Sequence, residues 1–88
     1  PDDDGRRAIL NLYVGRMPTV ASLSINTLIS LTAGFSGAEL KSVSVEAGMQ
    51  AIRDKRKKVR LSDFKHSIDL IQVKRREASG ADVNHLYG

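Results

Sequence analysis

Ser36-Gly37-Ala38-Glu39 constrains this chain more than any other stretch, because it fixes where a helix must begin. Ser and Glu three residues apart form a capping box: the Ser oxygen accepts from the amide at the third helical position, and the Glu carboxylate reaches back to the Ser amide. Phe35, one residue before the cap, is placed to staple onto Leu40. Gly34 supplies a left-handed stop for whatever helix precedes. Beyond the box, Leu40, Val43, Ala47 and Ala51 recur at helical spacing, with Glu46, Gln50 and Arg53 on the wetter side. The spacing predicts a helix from the box to about Lys57.

Three more helices follow from the same kind of reading. Ile9, Leu12, Tyr13 and Arg16 fall on one stripe of a first helix. Asp2, Asp3 and Asp4 offer caps and negative charge at its positive end, and Pro18 stops it. A second helix is predicted from Ser24, its cap, to Ala33, with Ile25, Leu28, Ile29 and Thr32 facing inward. Ser62 is the expected cap of a fourth, with Phe64, Ile68 and Ile71 inward, joined by Leu61 and Val73. Strand signals are nearly absent, and Lys58–Leu61 is at most a short extended link. The predicted fold is all-α: a compact four-helix bundle over residues 1–76, with a flexible C-terminal tail over residues 77–88.

Composition removes several classes of function. Without cysteine there is no disulfide framework or thiolate metal site, and an intracellular protein is the expectation. No apolar run approaches the ~20 residues of a membrane span, and no signal peptide is visible. His66 and His85 belong to no metal-binding spacing or triad, and there is no GxxxxGK[ST] loop to cradle phosphates. The net charge of +4 is unevenly placed, with six basic residues between Arg53 and Arg60 and a further Lys74-Arg75-Arg76 run. Such a run serves either nucleic acid or a solvated helix end that complements the dipole. No aromatic is interleaved to stack on bases, which favours the solvated helix end.

Residues 77–88 (EASGADVNHLYG) carry no helical or strand period. Leu86-Tyr87-Gly88 therefore puts an aromatic beside a carboxylate on a segment with no core to enter. It is either an ordinary terminus or a group that docks into a pocket on another molecule.

Several segments, in order and together, resemble the small C-terminal lid domain of AAA+ ATPases, in particular the proteasome-regulatory branch. Pro1-Asp2, Gly5-Arg6 and Ile9-Leu10 look like that family's opening of the lid, and Gly34 to Leu40 is similar to its sensor-2 segment. Glu46-Ala47-Gly48-Met49 with Ala51-Ile52-Arg53 resembles its third helix, and Val59 to Phe64 its start of the last. Leu86-Tyr87-Gly88 matches the hydrophobic–Tyr–any-residue ending common in the proteasomal branch. Membrane AAA proteases share the sensor-2-like segment but continue into a zinc protease domain, and no HExxH occurs here.

The resemblance implies a nucleotide held between this lid and a large domain, with Gly37, Ala38, Ile9 and Tyr13 beside ATP or ADP. On the residues alone, Gly37 and Ala38 are simply first-turn positions under a capping box. It further implies neighbouring subunits in a hexameric ring and docking of Leu86, Tyr87 and Gly88 into the α ring of the proteasome core. Assembly chaperones are possible partners, and the location is cytoplasmic, or also nuclear in a eukaryote. Walker motifs are absent, so the chain is not expected to be an enzyme by itself. Two positions depart from the family: Tyr13 stands where His is usual, and residues 19–26 (TVASLSIN) lack the usual acidic residues. The rival reading is a small, basic, histone-like helical domain that binds nucleic acid through Arg53–Arg60.

Overall fold

The computed structural model describes residues 1–79. It contains four helices, α1 (Asp3–Val14), α2 (Ile25–Leu31), α3 (Gly37–Arg53) and α4 (Leu61–Ala78), and no strand among the described residues. The predicted bundle is what forms. Helix α3 is its centre, packed against α1 on one side and α4 on the other, with α2 bridging α1 and α4. The core is Leu10, Leu28, Ile29, Phe35, Leu40, Val43, Ala47, Ala51, Val59, Phe64 and Ile68.

Each helix starts where a side chain can satisfy amides that have no intrahelical partner. Asp2 accepts from the Gly5 amide at 2.8 Å and Ser24 from the Thr27 amide at 3.3 Å. The box at α3 is complete: the Glu39 amide donates to Ser36 Oγ at 3.1 Å and the Ser36 amide to Glu39 Oε1 at 2.8 Å. Helix α4 begins differently from the expectation. Arg60, not Ser62, is the cap residue, and Ser62 lies within the first turn. Asp63 makes the reverse half of a box by accepting from the Arg60 amide at 2.9 Å. An arginine side chain carries no acceptor, so the forward half is missing.

The ends also differ in detail. Helix α1 stops at Val14, before Pro18, and residues 15–17 continue as a tighter turn in which the Arg16 and Met17 amides donate to Tyr13 and Val14. Gly34 adopts a φ of 81°, as its stop role requires. Helix α3 ends at Arg53, short of the expected Lys57, because Lys55 turns left-handed with a φ of 58°. The Lys55 amide then bonds back to Ile52 and that of Arg56 to Ala51, the two bonds of a Schellman stop. Helix α4 runs to Ala78, so Glu77 and Ala78 are helical although they were assigned to the tail.

Burial corrects the inner face of α1. Leu10 and Arg6 are buried, Ile9 and Tyr13 half-buried, and Leu12 half exposed. The true stripe is rotated by about one residue, ~100° around the helix. Arg6 disguised it: its guanidinium donates to the Ile29 carbonyl at 3.2 Å and to Asp3 at 2.6 Å, tying α1 to the end of α2. Val73 is exposed rather than inward. The expected extended link is real: Val59 donates to Pro18 at 2.8 Å and accepts from Val20 at 2.9 Å, one isolated parallel bridge with Thr19.

Candidate functional site

The first turn of α3 gathers most of the candidate residues. The Ser36 amide is occupied by Glu39 and the Glu39 amide by Ser36. The amides of Gly37 and Ala38 have no acceptor within the helix and point along its positive end. A Cβ added to Gly37 would stand 3.7 Å from Ile9 Cδ1, so α1 closes on α3 at this turn. Ile9 and Gly37 are thus adjacent and half-buried, and Tyr13 lies one turn further along α1, also half-buried. Ala38 is exposed and opens on the other side, into a groove between α3 and α4 with Lys41, Val45, Leu70 and Lys74. Ile9 and the α3–α4 groove therefore flank Gly37 and Ala38 from two sides, whereas Tyr13 lies further along α1, which runs past α3 toward Gly48. Leu86, Tyr87 and Gly88 lie outside the described residues.

One residue that the sequence reading passed over holds this turn. Arg75, late in α4, donates from Nε to Glu39 Oε2 at 2.7 Å, and from Nη2 to Glu39 Oε1 at 2.6 Å and the Gly34 carbonyl at 2.7 Å. Its guanidinium also sits 4.6 Å from the centroid of the Phe35 ring. The two Arg75 hydrogen bonds, with help from the Ser36 amide, hold the Glu39 carboxyl down at about 2. The signal was present in the sequence: Arg75 continues the Phe64, Ile68, Ile71 stripe of α4. It was hidden by reading Lys74-Arg75-Arg76 as a block of charge.

The basic run from Arg53 to Arg60 is not uniformly solvated. Arg53 donates to Glu46 at 2.6 Å and to Gln50 at 2.9 Å. Arg56 is half-buried and forks onto Asp63, with a second contact to Asp54 at 3.0 Å. Asp63 first, then Asp54, strengthens the hold of the Arg56 guanidinium on its proton, and the hydrogen bonds from Arg56 keep the Asp63 carboxyl below the usual range. Lys55, Lys57, Lys58 and Arg60 are exposed. Among the described residues no cluster of His, Cys, Asp or Glu could hold a metal ion, and no helix is long and apolar enough to cross a membrane.

A four-helix bundle that presents a capped, glycine-containing helix start beside α1 has the build of a AAA+ lid. The AAA+ lid domain family matches residues 22–66, and this chain belongs to it. The chain is 39% identical over 87 residues to a proteasome-activating nucleotidase of Sulfurisphaera tokodaii, covering 99% of this chain and 22% of that protein. It is 45% identical over 75 residues to the protein of that name from Saccharolobus solfataricus, covering 85% and 19%. With that from Methanothermobacter thermautotrophicus it shares 38% over 89 residues, covering 100% and 22%. The chain thus spans about a fifth of the length of the curated relatives it matches.

Proposed function

We propose that this chain is the lid of a proteasomal AAA+ ATPase and that it closes on ATP or ADP held mainly by a large domain. The observation that carries the reading is the approach of Ile9 to Gly37 at the start of α3. It sets an apolar side chain beside Gly37, the first residue of a turn whose amides find no carbonyl acceptor within the helix, a surface suited to a base or ribose. Tyr13 offers a ring and a hydroxyl on the same helix, one turn on. The names of the relatives support the proteasomal assignment.

In this reading the lid reports nucleotide state to neighbouring subunits of a ring, and Leu86-Tyr87-Gly88 docks on the proteasome core in ATP-dependent protein unfolding and degradation. Hydrolysis resides in the large domain. The test replaces the matching stretch of the Methanothermobacter nucleotidase with this chain. Ala38→Leu in that chimera should weaken binding of a fluorescent ADP analogue while leaving the melting temperature of the 88-residue chain unchanged, because Ala38 is exposed. Equal ADP affinity would refute the nucleotide role. Tyr87→Ala should abolish association of the chimera with proteasome core particles, and unaltered association would refute the docking role.

A further inference from the structure

Exposed ion pairs contribute little to stability, and the Arg75–Glu39 pair is exposed, at 41% and 25% of the two side chains. Its geometry is nevertheless demanding. One guanidinium grips both oxygens of Glu39, caps the carbonyl of the left-handed Gly34, and covers the ring of buried Phe35. Gly34 and Phe35 belong to the connection between α2 and α3 and Glu39 to the first turn of α3, and Arg75 reaches all three from 36 residues beyond Glu39. A planar fork of this kind fixes direction as well as distance. Lys74 and Arg76, its neighbours, make no such contact among the described residues.

Glu39 is at the same time the carboxylate of the capping box. Its Oε1 accepts from both the Ser36 amide and Arg75, so moving the guanidinium moves the group that sets the first turn. Gly37 and Ala38 are the two residues between Ser36 and Glu39. We propose that Arg75 is a positioning residue for nucleotide binding: it clamps Glu39 and Gly34 so that the amides of Gly37 and Ala38 are held at a fixed angle to α1 and the large domain. The proposal rests on the nucleotide reading above. Arg75 itself touches no nucleotide, and it acts through Glu39. The low-stability, high-geometry character of the contact separates this role from that of a structural staple.

The test uses Arg75→Gln and Arg75→Lys in the 88-residue chain and in the chimera. In the chain, Arg75→Gln should lower the melting temperature by no more than about 8 °C, the worth of an exposed pair of up to about 1 kcal/mol in a domain this small. It should raise the Glu39 titration, followed by carboxyl NMR, from about 2 toward the ordinary range. In the chimera it should weaken equilibrium binding of the fluorescent ADP analogue about three- to tenfold. Arg75→Lys, which keeps the charge but not the fork, should recover only part of that affinity. Unchanged ADP affinity in Arg75→Gln, once Glu39 has shifted, would overturn the proposal. A drop of more than about 10 °C in melting temperature would also overturn it, by making the contact a structural one. Ala38→Leu separates the two readings: if it weakens ADP binding and Arg75→Gln does not, only the role of Arg75 falls, and if neither does, the nucleotide role falls with it.

Discussion

Helices α3 and α4 begin with the same device and put it to different use. In each, a carboxylate at the third position accepts from the amide of the cap residue, and an arginine from elsewhere grips that carboxylate. At α4 the acid is Asp63, 2% exposed, and the arginine is Arg56 in the link just before the helix. At α3 the acid is Glu39, 25% exposed, and the arginine comes from the far end of another helix. A buried pair is costly to break, whereas an exposed one is cheap to break and useful mainly for its direction. The α4 start is therefore a staple, and the α3 start is a held but accessible surface.

The sharpest way to break this contrast is to remove the buried acid. Asp63→Ala should lower the unfolding free energy by about 3 kcal/mol in urea denaturation, because it strips the Arg60 amide and strands the fork of Arg56. A loss below about 1 kcal/mol would make the two starts equivalent. Acid distinguishes them next. Glu39 has a folded-state pKa of about 2, below its unfolded value, and Asp63 is shifted the same way. Their stabilisation is complete above the ordinary carboxylate range and drains away as pH falls toward 2. Unfolding free energy measured from pH 6 to pH 2 should thus decline. The decline should be shallower in Arg75→Gln, since that variant removes the largest cause of the Glu39 shift.

Smaller effects sharpen the comparison at the caps and stops. Ser36→Ala should cost about 1 kcal/mol, the worth of a side-chain cap. Arg60→Ala should stay within about 0.5 kcal/mol, since that side chain caps nothing. Helix α2 is followed by a glycine in the left-handed region, whereas α3 is followed by Lys55 in the same region. Lys55→Gly should therefore stabilise the chain by somewhat under about 1 kcal/mol, read by thermal unfolding. Charge reversal at exposed Lys57 should change stability by less than about 0.5 kcal/mol. A larger loss there would mean that the basic run carries a network beyond Arg56.

Local chemistry was legible wherever a signal spans only a few residues. Ser36 and Glu39 meet in the structure because a capping box closes within one turn, and Leu40, Val43, Ala47 and Ala51 are buried because helical period alone puts them on one face. The count and order of helices follow from the same signals. Failures occurred where a side chain's role depends on a partner far along the chain. Arg6 reads as solvent-facing until the Ile29 carbonyl is brought to it, and this shifted the inner face assigned to α1. Arg56 and Arg75 read as members of basic runs until Asp63 and Glu39 lie beside them. Ser67 carries no local signal of its role: its hydroxyl is buried and donates to the Val43 carbonyl across the α3–α4 interface at 3.0 Å.

By itself, then, the sequence determined an all-α chain, the starts of its first three helices and most of its core, since caps and hydrophobic period act over one or two turns, and the order of its segments carried the family. Only the tertiary structure decided that Arg56 and Arg75 are held, and that Ile9 closes on Gly37. Those outcomes depend on how helices pack, which sets distances between residues dozens of positions apart, and no local pattern encodes them.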